Sequence, residues 1–393
     1  MSTVGYPSLS APSDRATAMQ CLLRTFNPGI DSKSGAPLPA GTVRSGAEQW
    51  ATFEALLGRA LEELGFAIDR QPEHPTEPDR DGDYRLRIYA HRTRRDVGRD
   101  GLFIMQMHLA ELFTIDPRGW GADHSRVPLV EDFADVDPAA AETFRRERLA
   151  RFLRTGSSKH RQPRGGAWRR LRGRLFGPRD YIFAPLQIPR DYVQLHHSRI
   201  TVLEFIDRVA EWCDRRRLPV VFKPHPYNTG DHDLLERLEH HRRRSSVVHR
   251  ADGNIHDLIA GARAVYTINS GVGFESLFHG KPVAIFGDSD YRSVALRVEP
   301  GGLDRTWERV LSYGEEERGM ASRFLWHYAH RHAFDITRIE ELRLASRLVE
   351  CLSAALAPGA ASASRAPDSP PREARTAQSA PGAPPAPRGE RGR

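Results

Sequence analysis

Y-I-F-A-P-L-Q (181–187), V-V-F-K-P-H-P (220–226) and Y-T-I-N-S-G-V-G-F-E (266–275) are three apolar runs that each stop abruptly at polar or small residues. Buried parallel strands read this way when their C-terminal ends open into a ligand site. From Tyr181 onward the alternation is regular. Strands are expected at 181–187, 219–225, 246–250, 264–269 and 282–287. Helices are expected at about 199–216, 231–243, 254–261 and 272–279. That alternation implies right-handed crossovers and a parallel sheet.

The strand ends carry candidate binding residues. In T-I-N-S-G-V-G-F-E-S-L-F-H-G-K-P-V (267–283) the strand stops at Asn269 and a helix begins near Val272. The N–H groups and dipole at a helix start favour an anion. Ser270 adds a hydroxyl, and Gly271 and Gly273 let the backbone approach a phosphate. Glu275, on the first turn, suits two vicinal ribose hydroxyls. The alternative makes Ser270 a cap and Glu275 a surface acid. Gly280 is placed to end the helix.

His225 stands between Pro224 and Pro226. The prolines stop the strand and stiffen the loop, so the imidazole is aimed rather than mobile. It suits a phosphate oxygen, and Lys223 adds charge if it faces the same crevice. Gln187 suits a base edge or a sugar hydroxyl. Arg190 and Asp191 either line the cleft or form a turn with a short helix cap.

Upstream, Trp50, Phe53, Leu56, Leu57, Ala60, Leu61 and Leu64 recur at helical spacing. Strand-like runs follow at 84–90 and 102–107. Residues 112–125 read as a polar, Gly-rich loop in which Asp116 and Asp123 flank Gly119-Trp120-Gly121. Residues 139–154 read as an exposed charged helix. Attack by an acceptor hydroxyl needs a proton acceptor. Asp116 is the first choice, with His108 and Glu111 as rivals. Asp116 equally suits a plain Asp-Pro turn, and Trp120 suits either a sugar face or the core.

The division expected is an irregular lead-in (1–45), a first α/β domain (46–156), a basic linker (157–180), a Rossmann-like domain (181–316), C-terminal helices (317–357) and a disordered tail (358–393). The tail has eight prolines and no aromatic or branched aliphatic residue, so it cannot offset its ordering entropy.

The net charge of +7 is concentrated. Residues 157–179 hold eight Lys or Arg and no acid, and the tail holds six Arg against three acids. The remainder is mildly acidic, which argues against a general nucleic-acid binder. Segment 157–179 is a solvated linker or, through Trp168, Leu171, Leu175 and Phe176, a contact with anionic headgroups.

Three scattered cysteines imply a reducing cytoplasm. No apolar run approaches the ~20 residues of a membrane span, and no secretory signal is evident. No metal-ligand spacing, P-loop or G-x-S-x-G elbow occurs.

The order P-L-Q, K-P-H-P, N-S-x-x-G-x-E, G-K-P-V and Gly287…Tyr291 resembles the bacterial capsule polysaccharide biosynthesis proteins. Several members of that family are CMP-Kdo-dependent glycosyltransferases of GT-B fold, related to bacterial CMP-sialic acid transferases. D-P-R-G-W-G (116–121) is a fainter match. The resemblance implies an α/β, GT-B-like protein with two Rossmann-like domains and a cleft between them. His225, Asn269, Ser270 and the following amides, Gly271 included, would bind the donor phosphate. Glu275 would hold the ribose, and Gln187 would lie at the cleft. Relatives often have a second small hydroxyl residue where this chain has Gly271.

The implied reaction moves a Kdo-like sugar from a CMP donor to a glycan or glycolipid acceptor, with Asp116 as base, His225 at the phosphate and no metal or other cofactor. The cysteines and the basic segment together lead to an expected location that is cytoplasmic, peripheral at the inner membrane. The alternatives are a UDP, GDP or ADP donor, or a non-catalytic assembly or export partner of the same fold. RNA binding through 157–179 is more distant.

Overall fold

A computed structural model describes residues 19–29, 37, 46–160, 162–177, 180–228, 230–341, 346–347, 349–350 and 352. The tail from Pro358, and most of residues 1–45, lie outside them.

The first half runs β1 (Met19–Thr25), α1 (Ala47–Glu63), β2 (Phe66–Pro72), β3 (Leu86–Ala90), α2 (Arg94–Val97), β4 (Leu102–Gln106), β5 (Leu112–Asp116) and α3 (Pro138–Thr155). The second runs α4 (Ala167–Phe176), β6 (Ile182–Pro185), α5 (Tyr192–His197), α6 (Val202–Arg216), β7 (Val220–Lys223), α7 (His232–Arg244), β8 (Val248–Arg250), α8 (Ile255–Gly261), β9 (Ala264–Thr267), α9 (Gly271–Phe278), β10 (Val283–Ile285), β11 (Leu296–Arg297) and α10 (Leu303–Ser312). The chain then returns to the first half through α11 (Glu315–His327) and β12 (Phe334–Asp335).

The second sheet is parallel throughout, in the order β11-β10-β9-β6-β7-β8. Counted from β6 this is the 3-2-1-4-5-6 order of a dinucleotide-binding fold. Its topological switch point, where ligands bind, lies between β6 and β9. All five expected strands are present, each trimmed at one or both ends. Their Val, Ile, Phe and Tyr side chains alternate between two cores. Val220 and Phe222 face α6 and α7, while Val221 and Val265 face α4 and α8. Helix α6 shows why the crossovers form where they do. Thr201 and Glu204 make a capping box at its start. Phe205, Ile206, Val209, Ala210 and Cys213 then make a buried stripe.

The first sheet has the order β12-β5-β4-β3-β1-β2, with β1 to β4 parallel and β5 antiparallel to both neighbours. Three expectations change here. Met19–Thr25 is not an irregular lead-in but an interior strand, with Cys21, Leu22 and Leu23 fully buried. The start of the expected polar loop, Leu112–Asp116, is a fully buried strand. The expected exposed helix, α3, buries Ala141, Arg148 and Phe152. Arg148 donates to both Glu111 and Asp335, tying α3 to β5 and β12.

The basic segment is also not a plain linker. Gly156–Gly166 is strapped to the second half. Asn254 Nδ2 donates to the carbonyls of Gly156 (3.3 Å) and Pro163 (3.1 Å). His256 Nε2 donates to Ser157 O at 2.6 Å, and Gly166 N–H donates to Asp257. In α4, Trp168 and Phe176 are core residues, while Leu171 and Leu175 are exposed. Of the four apolar residues expected to face lipid, two are therefore committed to the interior.

The architecture is α/β, with two Rossmann-like halves in the GT-B-like arrangement. The first core is continuous between them. Phe274, Leu277 and Phe278 of α9 pack with Phe133, Phe152, Phe324 and Tyr328.

Candidate functional site at the switch point

Three strand-end loops meet above β6. Gln187, two residues past the end of β6, donates from Nε2 to Asn269 Oδ1 at 2.8 Å. Its Oε1 accepts from Asn269 N–H at 3.0 Å. Asn228, after β7, donates to Gln187 O at 3.0 Å. Asn269 Nδ2 donates to Val193 O (2.8 Å) and Asp288 O (3.2 Å). Buried amides are expensive to leave unpaired, and here they lock the β6, β7 and β9 loops together. Gln187 and Asn269 are thus brought together as expected, but their polar groups are committed to the scaffold. They position the loops rather than reach outward.

Ser270 caps α9, its Oγ accepting from Val272 N–H at 3.2 Å. Gly271 opens the helix against His108 of the first half, and a Cβ there would lie 3.3 Å from His108 Nδ1. Gly273 is required for a different reason than phosphate access. A Cβ on it would come within 2.5 Å of the Tyr291 hydroxyl, which donates to Ser270 O at 2.7 Å. Gly280 takes the left-handed conformation just past the helix, at φ 64°.

His225 lies across β6 from Ser270. Neighbouring strands are about 4.8 Å apart, so the ends of β7 and β9 stand about 10 Å apart. Tyr227 N–H donates to His225 Nδ1 at 3.2 Å. That leaves the neutral ring's proton on Nε2, a donor. Burial pulls the imidazole down to about 4, with Asp191 opposing and Lys223 assisting. Lys223 is buried, and its ammonium is held below the usual range by burial, against Asp252 and with Arg250.

The strap adds residues that sequence reasoning passed over. The His160 ring lies 5.1 Å from that of His225 and 5.9 Å from that of Tyr227. Lys159 Nζ donates to Gln106 O at 2.7 Å, and burial pulls it down to about 8. Ser158 Oγ donates to Glu275 Oε1 at 2.9 Å. The S-S-K-H run was the available signal, but its setting in a basic, Gly-rich stretch reads as linker.

Glu275 therefore does not face an open cleft. It is 2% exposed and lies beneath Ser158. Burial pushes its carboxyl up from the ordinary 4.5 to about 8, against the Ser158 hydrogen bond. A raised carboxyl binds its proton more tightly in the folded state, so its stabilising contribution is complete below about 4.5 and is lost as pH rises through about 8. Glu275→Gln is expected to remove that slope. Urea-unfolding midpoints should shift in favour of the variant between those pH values; parallel curves would show that the carboxyl is not buried.

Asp116, the expected base, is turned inward. Its oxygens accept from the N–H groups of Arg118 (2.7 Å), Gly119 (3.0 Å) and Ser125, and from the Ser125 hydroxyl. His124 Nδ1 lies 3.1 Å away. A carboxylate so occupied organises its loop and is poorly placed to take a substrate proton. Glu111 is held by Arg148 and Arg151. Asp123 accepts from Tyr192 (2.7 Å) and His197 (2.8 Å), joining its loop to α5. Trp120 packs partly buried against that same Tyr192. Asp191 starts α5 without a side-chain cap, and Arg190 before it has φ 61°.

Fold and site together define a GT-B-like α/β protein with a stapled switch point in its second half. Residues 158–327 match the family model described as capsule polysaccharide biosynthesis protein. That stretch contains the motifs at 181–291 from which the resemblance was read, and the resemblance is borne out.

Among curated proteins, 167 residues are 33% identical to Protein FixF of Sinorhizobium fredii, covering 39% of this chain and 40% of that one. A stretch of 137 residues is 29% identical to the capsule polysaccharide export protein KpsS of Escherichia coli, covering 33% and 35%. The matches thus span less than half of either relative. Among solved structures, the beta Kdo 2,7 transferase of Thermosulfurimonas dismutans KpsC aligns with TM-score 0.46 and 15% identity, over 76% of this chain and 95% of that one. The beta Kdo 2,4 transferase of the same protein aligns with TM-score 0.44 and 16% identity, over 70% and 85%.

Among the described residues, no helix is long and apolar enough to cross a membrane, and no group of three or more His, Cys, Asp or Glu is arranged to hold a metal ion.

Proposed function

We propose that this chain is a glycosyltransferase of capsule or surface polysaccharide biosynthesis, moving a Kdo-like sugar from a CMP donor to a glycan or glycolipid acceptor. The observation that carries this reading is the stapled switch point. It sets the His225 Nε2–H and the start of α9 on either side of β6. A phosphate seated there meets an aimed donor, the Ser270 hydroxyl, the Gly271 amide and a helix dipole. Preorganised donors of this kind stabilise the negative charge that grows on a departing nucleotide. Lys223, Lys159 and His160 supply the surrounding field and walls. Glu275 becomes a ribose ligand in this scheme only if Ser158 yields its place.

The scheme uses protein donors for the phosphate, so turnover is expected to survive EDTA; complete loss would remove metal independence from the proposal. The donor is tested by thermal shift with CMP, UDP, GDP and ADP. Stabilisation by CMP alone supports the CMP reading, and stabilisation by another nucleotide reassigns the base. No response to any of them favours the second reading, a non-catalytic role in assembly or export. The likeness to the capsule polysaccharide export protein KpsS supports that second reading. We further propose a cytoplasmic location with a peripheral membrane contact through the exposed Leu171 and Leu175 of α4, flanked by Arg170 and Arg174.

A further inference from the structure

With Asp116 and Glu111 occupied, the acceptor's proton has no destination among the carboxylates considered so far. One side chain of the first half does reach the phosphate cradle. His108 follows β4, and its Nε2 donates to Asp290 Oδ1, in the second half, at 2.8 Å. The ring is stacked on Phe274 of α9, with centroids 4.6 Å apart at 24°, and meets Tyr291 edge-on at 5.5 Å. Nδ1, the other ring nitrogen, is turned to the first residue of α9, 3.3 Å from where a Cβ on Gly271 would stand. Among the described residues Nδ1 has no hydrogen-bond partner.

Asp290 is fully buried and also accepts from Tyr328 (2.6 Å) and Ser289 (3.1 Å). Burial alone would raise its carboxyl, but His108 and Tyr328 hold it well below the usual carboxylate range. An ionised partner on Nε2–H fixes the tautomer with a lone pair on Nδ1. The groups facing the pair are Tyr291 and Tyr328, with His124 and His332 beyond Asp290.

We propose that His108 is the general base of the transfer, oriented by Asp290 across the two halves, a role that rests on the transferase reading above. The acceptor hydroxyl loses its proton to Nδ1 as its oxygen bonds to the anomeric carbon. The bond from that carbon to the donor phosphate breaks, and its electron pair leaves with the nucleotide. The resulting imidazolium, paired with Asp290, returns its proton to water. The presence of Gly271 follows. A second hydroxyl residue at that position would place its side chain against the base, whereas glycine leaves Nδ1 open to the acceptor.

The experiment uses the full chain. Transfer is followed from CMP-Kdo, and from UDP-, GDP- and ADP-sugars, to a panel of glycolipid acceptors. CMP affinity is measured separately by calorimetry. His108→Ala and His108→Gln are expected to lower kcat by about 10²–10⁴-fold while CMP affinity stays within a few-fold. The acidic limb of the kcat/KM profile should disappear, and added imidazole should partly restore His108→Ala. Asp290→Asn should lower kcat with CMP affinity kept, as expected of a positioning residue.

Loss of CMP affinity in His108→Ala to the level of His225→Ala would make His108 a phosphate ligand and overturn its role as base. Full turnover in both His108 variants would overturn it while leaving the transferase reading intact. A folded wild-type protein that transfers no sugar from any donor would remove the transferase reading, and this inference with it.

Discussion

Arg148→Leu is expected to lower the unfolding free energy by about 3–5 kcal/mol, because it strands the buried Asp335 carboxylate and leaves Glu111 with Arg151 alone. Arg148 is 8% exposed and donates to Glu111 and Asp335, the latter 1% exposed. Arg151 reaches only Glu111, at 3.1 Å, and leaves Asp335 uncompensated. The cost comes less from losing attraction than from leaving charge where water cannot reach it. Urea unfolding followed by tryptophan fluorescence measures it. A loss below about 1 kcal/mol would be the signature of a solvated surface pair instead. Adding Asp335→Asn should recover part of the loss, since the stranded charge is then removed.

Gln187→Leu is the second large effect, and it should appear in both stability and binding. The variant leaves the Asn269 N–H and Oδ1 without partners in a buried site. Each orphaned group costs about 1–3 kcal/mol. The β6 and β9 loops also lose their mutual reference, so the distance between His225 and Ser270 is no longer set. Nucleotide affinity is expected to fall by about tenfold or more, the equivalent of about 1.4 kcal/mol. His225→Ala provides the contrast. Its ring is only half-buried and belongs to no core, so nucleotide response should vanish with little change in melting temperature. If Gln187→Leu keeps full nucleotide affinity, the amide staple is not what organises the site.

Strands and helices of the second half were legible because each is short, apolar and bounded by a cap or a proline. Ser270, Thr201 and Asp231 all stand at helix starts that their side chains cap. The first half was harder. M-Q-C-L-L-R-T is an interior strand set among Ser, Pro and Gly, where a short apolar run carries little weight. Strand β12 has two residues and exists only because β5 offers it an edge. Position at a strand end singled out His225 and Ser270 as candidates. It could not reveal that Gln187 and Asn269 are bonded to each other, nor that Glu275 is covered by the strap. The His108–Asp290 pair spans 182 residues of sequence and two sheets. Spacing carries no trace of such a contact; only the folded chain brings the two together.

The chain passes between its halves twice. It crosses outward along the strap at 156–166, and returns through α11 to lay β12 on the edge of the first sheet. A body joined to another at two separated points behaves like a door on two pins. Two joints resist sliding and twisting better than one, and the continuous core between the halves adds to that resistance. The strap pin passes beside His225 through His160, and the returning segment carries Tyr328, which holds Asp290. Both joints therefore run beside residues that dress the site.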